Sequence, residues 1–151
     1  ATAGSIGSAE LADNTIKTVS KTLTAAEIVG TSAGDIGATA GAELVAAPGA
    51  GKIIEFVSAI LSYDYDTAAY TGGGDDLVIR QGTTAMTAPI AKADLLADTE
   101  DDIAYVNALS AGDIKVTANS ALNLFAGTAC TQPGTAKGTL RVVCNYRIHS
   151  I

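Results

Sequence analysis

The C-terminal segment of the chain constrains the fold more than any other feature of the sequence. Between Thr139 and Ile148, apolar and polar residues alternate almost without exception. One set comprises Leu140, Val142, Cys144, Tyr146 and Ile148, and the opposite set comprises Thr139, Arg141, Val143, Asn145 and Arg147. Because successive side chains of a strand point to opposite faces of a sheet, this alternation predicts a strand with one buried and one wet face.

Further strand signals recur at short intervals along the chain. They cover residues 43–47, 52–65, 77–81, 102–108, 114–118 and 122–126. Turn residues separate them, and the Pro-Gly-Ala-Gly run at 48–51 predicts a hairpin turn because Pro presets φ and Gly tolerates positive φ. About eight short strands with little helix predict an all-β chain, a β-sandwich with a jelly-roll arrangement as our first choice. The pattern leaves the strand order open.

Helix is expected at two short places. Thr24 and Glu27 fit the capping box that opens a helix, which we expect to run through Val29 and end at Gly30. Residues 91–97 are compatible with one or two helical turns.

The segment 52–65 carries apolar residues on both alternating faces of its first half. Such a strand is either covered on both sides within one chain or meets another subunit with one face. Ile54, Phe56 and Ile60 are therefore candidate protein-interface residues, and we predict a homo-oligomer, with a trimer preferred.

Residues 1–20 differ in composition from the rest, with Gly, Ser, Ala and Thr around the isolated apolar residues Ile6, Leu11 and Ile16. A spacing of five fits neither the helical nor the strand period, so this segment cannot form its own core. We predict an extended N-terminal arm over 1–20 and a sandwich domain over 21–151. The three apolar residues of the arm join the interface candidates.

The distribution of charged and apolar residues argues against two classes of partner, nucleic acids and membranes. The formal net charge is −7, and the nine Lys and Arg residues are scattered, whereas nucleic-acid binders cluster them. No apolar stretch approaches the roughly 18 residues of a membrane span, and the first residues lack the features of a signal peptide. We expect no nucleic acid, no membrane and synthesis in a cytoplasm.

The sequence holds little that would support catalysis or metal binding. His149 is the single histidine, and the loop at 47–52 lacks the first Gly and the final Ser or Thr of a phosphate-binding loop. Asp64, Asp66, Asp75 and Asp76 flank one loop without the spacing of a known calcium motif. We expect no catalytic, cofactor-binding or metal-binding residues, and no enzyme. Whether Cys130 and Cys144 form a disulfide is left open, although a cytoplasmic origin argues against it.

Several segments, taken in order, resemble small virion proteins of tailed phages. They are LTAAEI at 23–28, ELVAAPGAGKI at 43–53, LSYDYDTAAYT at 61–71, DLVI at 76–79 and GTLRVVCNYRI at 138–148. The segment SIGSAELADNTI at 5–16 is similar to linkers of phage fibre and head-binding proteins, which often thread trimers.

The resemblance and the small size imply a head decoration (cement) protein, which sits on the outer capsid surface and contacts the major capsid protein and copies of itself. A neck, head-fibre or tail-associated adaptor protein is the first alternative. The second is a carbohydrate-binding β-sandwich module, for which Tyr63, Tyr65 and Tyr70 are the clustered aromatic candidates.

Overall fold

Two antiparallel four-stranded sheets make up the fold in a computed structural model that describes residues 12–72, 75–109, 112–131 and 137–151. The strands are β1 (Lys17–Leu23), β2 (Ala42–Val45), β3 (Lys52–Asp64), β4 (Leu77–Gln81), β5 (Thr84–Ala85), β6 (Asp102–Asn107), β7 (Leu122–Ala126) and β8 (Thr139–Ser150). The helices are α1 (Ala25–Val29) and α2 (Lys92–Leu95). The prediction of an all-β sandwich is confirmed.

The first sheet has the strand order β1-β8-β3-β6, and the second has the order β2-β7-β4-β5. The chain therefore crosses from one sheet to the other at every connection except the one from β4 to β5. The turn predicted at 48–51 is present, with Lys52 donating its backbone N–H to Gly49. It joins β2 of the second sheet to β3 of the first, so the prediction of a hairpin there is wrong.

Strand β8 lies in the middle of the first sheet, between β1 and β3. The predicted inward face is confirmed, because Leu140, Val142 and Cys144 are all 0% exposed. The inward side chains of β8 and β3 meet those of β4 and β7 from the second sheet in one continuous core. Burial on this face and polar residues on the other give the alternation seen in the sequence.

Strand β3 contains a bulge that changes the direction of its side chains. Its pairing with β8 shifts between Phe56 and Ser58, which leaves Val57 as the extra residue. Before the bulge Ile54 and Phe56 point into the core, and after it the inward set begins at Ala59. The bulge therefore turns Ile60 to the outer face of the sheet.

The predicted capping box at the start of α1 is confirmed. Glu27 donates its backbone N–H to the Thr24 side chain, and its carboxylate accepts the backbone N–H of Thr24 at 2.8 Å. The second of these bonds, from the Thr24 backbone N–H to the carboxylate, is the main cause that holds the pKa of Glu27 below its ordinary value. Ile28, on the buried side of this helix, then packs into the core at 0% exposure.

At three places the strands in the structure differ from those predicted from the sequence. The strand predicted at 114–118 is wrong, because Ile114 and Val116 lie in irregular backbone and only pack on the rim of the core. The two-residue strand β5 was not predicted. Strand β1 begins at Lys17, so residues 17–20 belong to the sandwich and not to an arm. The remainder of the arm prediction concerns mainly residues 1–11, which lie outside the described residues.

Candidate protein-interaction surface

The outer face of the first sheet is the broadest surface that the strands build. Cross-strand registers arrange its side chains in rows that run from β1 to β6. One row is polar and contains Thr18, Asn145, Ser58 and Asn107; the next contains Ser20, Val143, Ile60 and Tyr105; the third contains Thr22, Arg141, Ser62 and Ile103. The second and third rows become apolar toward β6.

Hydrogen bonds fix the polar part of this face. Thr18 donates its hydroxyl to Asn145 Oδ1 at 2.7 Å, and Asn145 Nδ2 donates to Ser58 Oγ at 3.1 Å. Arg141 Nε donates to Ser20 Oγ at 3.1 Å, which ties the third row to the second. These bonds link β1, β8 and β3 and give the face a defined shape before any partner binds.

Apolar side chains are concentrated on the β6 side of the face. Tyr105 is 77% exposed, Ile103 52% and Ile60 39%, and Val143 beside Ile60 is half-buried. Leu109, just after β6, is 41% exposed. Ile60, Ile103, Tyr105 and Leu109 are called the β6 patch below. Contiguous exposed apolar residues of this kind are typical of protein-interaction sites.

Strand β6 is also an open edge. Within the described ranges it pairs with β3 alone, so one side of its backbone carries no strand partner. Ala88, Pro89 and Ile90 run beside it and form with Tyr105 to Leu109 a groove of about 330 Å³. The backbone hydrogen bond across this groove goes from Leu109 to Met86, beyond the end of β6.

The charges of the first sheet are divided between its two sides. Asp98, Glu100, Asp101 and Asp102 precede or begin β6, and Asp64 ends the neighbouring β3. Asp101, Asp102 and Arg141 line an open groove of about 740 Å³ at this end of the face. Lys17 and Lys21 lie on β1, and Arg141 and Arg147 lie on β8. The end of the sheet where β6 begins is therefore acidic, whereas on β1 Lys17 is only 5% exposed and Lys21 lies 4.0 Å from Glu27.

A second charged group occupies the opposite end of the same face. Glu55 accepts hydrogen bonds from Arg147 Nη1 at 3.2 Å and 3.3 Å, and its Oε2 lies 2.6 Å from His149 Nε2. The hydrogen bond with His149, with the nearby charge of Arg147, holds the pKa of Glu55 below its ordinary value. His149 thus has a carboxylate partner, and no nucleophile appears among its described contacts.

The six predicted interface residues fall into three groups. Ile6 and Leu11 lie outside the described residues. Ile16 is 49% exposed just before β1, and Ile60 belongs to the β6 patch. Ile54 and Phe56 are only 1% and 4% exposed because they fill the core between the sheets, so their prediction as interface residues is wrong.

Ile103, Tyr105 and Leu109 were not singled out from the sequence. The alternation of Ile103, Ala104 and Tyr105 was visible, but with Ala104 and Val106 on the other face it did not indicate which face is exposed. The register of β6 against β3 decides this, because it places Ile103 and Tyr105 beside Ser62 and Ile60 on the outer face.

Of the three tyrosines considered for sugar binding, Tyr63 and Tyr70 are internal and Tyr65 is half-buried, with its ring centroid 6.4 Å from that of Tyr63. Tyr63 and Tyr70 are 2% and 1% exposed, with ring centroids 6.1 Å apart. Burial raises the pKa of Tyr70 to about 12, and the neighbouring Tyr63 makes a smaller contribution in the same direction. Because the rings of Tyr63 and Tyr70 are covered by the core, they are unavailable for stacking on a sugar, and the exposed Tyr105 lies elsewhere.

Other kinds of site find little support among the residues that the structure describes. In those ranges no group of three or more His, Cys, Asp or Glu side chains is placed to hold a metal ion. Cys130 and Cys144 are both free and buried. No described helix is long and apolar enough to cross a membrane.

Comparisons with known proteins give one distant structural similarity. No protein-family model matches the chain, and no curated protein sequence matches it. A solved structure described as "Cyanophage Pam1 capsid asymmetric unit" aligns with a TM-score of 0.49 and 19% identity, covering 97% of this chain and 90% of that one.

Proposed function

We propose that this chain is a structural protein of a tailed-phage virion that binds the outer capsid surface and stabilises the head, as decoration (cement) proteins do. The observation that carries the proposal is the exposed β6 patch on an edge strand, on a sheet face whose polar part is held together by hydrogen bonds among Thr18, Ser20, Ser58, Arg141 and Asn145. Such a surface suits protein subunits better than small molecules. The ordered sequence segments that resemble small phage virion proteins supply the particular setting.

The strand order supports a jelly roll as the form of the sandwich. Eight strands form two four-stranded sheets, with the first and last strands adjacent and the chain crossing repeatedly between the sheets. Two nested Greek keys have this arrangement, and jelly rolls are common in viral capsid proteins and lectins. Because one fold serves many functions, the role rests on the surface and not on the fold.

Binding to capsids that lack the protein tests the proposal directly. Purified protein is mixed with such capsids, and co-sedimentation and the temperature of capsid disruption are measured. We expect saturable binding at micromolar concentration or tighter and a higher disruption temperature. A folded protein that does not bind capsids would refute the capsid role.

The same preparation separates the alternatives. Binding to isolated necks or tails, but not to capsids, would support an adaptor protein. Binding on a glycan array, lost on Tyr105→Ser, would support the carbohydrate-binding alternative, because Tyr105 is the large aromatic side chain exposed on the sheet.

A further inference from the structure

We propose that the cavity beside α2 binds a small monocarboxylate, an anion with one negative charge and a short apolar body. The cavity has a volume of about 340 Å³. It shares no residue with the β6 patch, so the inference goes beyond the proposed function and does not depend on it. A preformed enclosure, a buried ammonium group and apolar walls support this assignment.

Buried side chains form the floor of this cavity, and exposed ones form its mouth. Tyr70, Leu96 and Cys130 line it with exposed fractions of 1%, 0% and 4%. Ala93 and Ala97, on α2 and just after it, also line the cavity and are exposed. A hydrogen bond from the Tyr70 backbone N–H to the Leu96 carbonyl at 3.0 Å joins two of the walls. The cavity is therefore preformed and open to solvent on the side of α2.

A buried lysine contributes to the same cavity without a matching negative charge. Lys92 is 2% exposed, and its Nζ donates one described hydrogen bond, to the Thr128 carbonyl at 2.7 Å, although an ammonium group has three donors. The Asp76 carboxylate accepts the backbone N–H of Lys92 at 3.2 Å, and over the described ranges no carboxylate forms an ion pair with Nζ. Lysine is almost never fully buried without a partner for its charge, so an anion is the missing group.

The charge of Lys92 acts on the cavity at Cys130. Thr128, which accepts the Nζ hydrogen bond, precedes Cys130 by two residues. Burial raises the pKa of the Cys130 thiol, and the Lys92 charge makes a smaller contribution in the opposite direction. A thiol with a raised pKa is neutral at pH 7, so Cys130 does not supply the negative charge that Lys92 lacks.

The lining selects the class of anion. A phosphate group carries up to about two negative charges at pH 7 and three acceptor oxygens, more than one ammonium group satisfies. The hydroxyl of Tyr70 already donates to the Gly138 carbonyl at 2.5 Å, and Leu96 and Ala97 are apolar. A carboxylate on the Lys92 ammonium, with a short alkyl group against the apolar walls, matches both the single charge and the lining.

Thermal unfolding with butyrate and with butyramide tests the site. The two compounds have nearly the same shape, but only butyrate is charged, and sodium chloride keeps the ionic strength constant. We expect butyrate to raise the melting temperature by about 3 °C at ten times its dissociation constant, and butyramide to have no effect. The rise should saturate with concentration, which distinguishes a bound ligand from the general effect of salts on protein surfaces.

Three variants show whether the effect comes from this cavity. Lys92→Met removes the charge at nearly constant length, and Lys115→Met makes the same change on an exposed residue outside the cavity. Ala97→Leu narrows the mouth without changing any charge, so it serves as the test if Lys92→Met fails to fold by circular dichroism. We expect butyrate to lose its effect on Lys92→Met, to bind Ala97→Leu about tenfold or more weakly, and to act on Lys115→Met as on the wild type.

Amide NMR spectra recorded during a butyrate titration locate the bound anion. Signals of residues 92–97 and 128–130 should shift with the same dissociation constant as the thermal effect, and those of β6 should not. No rise in melting temperature for the wild type, an equal rise with butyramide, an undiminished response in both cavity variants, or shifts confined to other parts of the chain would overturn the inference.

Discussion

At the scale of single residues, the two cysteines are both buried but differ in their surroundings. Cys144 is 0% exposed in the central strand β8, and burial raises the pKa of its thiol to about 12. Cys130 is 4% exposed and lines a cavity of about 340 Å³ together with Lys92. A hydroxyl at position 130 would have Lys92 nearby, whereas at position 144 the sulfur reaches only the Asn145 carbonyl, at 3.9 Å, beyond the range of a hydroxyl hydrogen bond.

We therefore expect Cys144→Ser to destabilise the protein more than Cys130→Ser. An unpartnered buried hydroxyl costs about 1–3 kcal/mol, and this cost applies chiefly at Cys144. Urea unfolding of both variants measures the difference in free energy of unfolding. Equal large losses would contradict the prediction and would point instead to a link between the two sulfurs.

The contacts of Glu55 predict how the stability of the fold depends on pH. Its pKa is lowered in the folded protein from an ordinary value of 4.5, first by the hydrogen bond with His149. A carboxylate with a lowered folded pKa adds stability above its unfolded pKa, and this contribution disappears as the pH falls through the folded pKa. Because the side chain is 40% exposed, we expect about 1 kcal/mol or less.

Glu55→Gln should therefore lower the free energy of unfolding at neutral pH, and the difference from wild type should shrink below about pH 4. Glu43→Gln, on an exposed residue of the second sheet, is the matched control. Urea unfolding across the pH range measures both. A difference for Glu55→Gln that persists unchanged in acid would show that the ion pair is not its cause.

At the scale of elements, the first strand changes how the N-terminal segment should be tested. Lys17 to Ser20 pair with Tyr146 to Val143 of β8, so they contribute to the sandwich. Deleting residues 1–20 would remove more than half of the seven-residue strand β1 and expose one side of β8. A deletion that ends at residue 11 leaves every described residue in place.

We expect deletion of 1–11 to leave the melting temperature nearly unchanged and to weaken capsid binding. Deletion of 1–20 should lower the melting temperature clearly, because strand pairing and inward side chains of β1 are lost. Thermal unfolding and capsid co-sedimentation of both truncations measure these effects. Full capsid binding by the shorter truncation would exclude a role for residues 1–11 in attachment.

At the scale of the whole molecule, the core accounts for stability without a metal site. Side chains from both sheets and from α1 form one cluster, in which Leu23, Ile28 and Leu124 are fully buried. A domain of this length buries roughly 68–70% of its unfolded surface, which suffices for folding without metals or disulfides.

We accordingly expect a chelator such as EDTA to leave the melting temperature unchanged. The measurement is thermal unfolding with and without chelator, followed by added calcium. A fall with chelator that calcium reverses would indicate a cation site formed by residues outside the described ranges or between copies.

The sequence by itself determined those features that depend on local pattern. The alternation in β8, the run that forms β3 and the capping box of α1 were all predicted, because each depends on residues that are close in the chain. The class of fold followed from the number and spacing of such segments. The same information failed at 114–118, where a short alternation forms no strand, although Thr84 of β5 donates its hydroxyl to the Lys115 carbonyl.

The tertiary structure alone decided which apolar residues are exposed. The bulge after Phe56 reverses the facing of β3, so that Phe56 is buried and Ile60 exposed. The pairing of β6 with β3 places Tyr105 beside Ile60 on the outer face, where it is 77% exposed. Strand order depends on pairings between residues far apart in the chain, such as β1 with β8, and the period of a single strand carries no information about them.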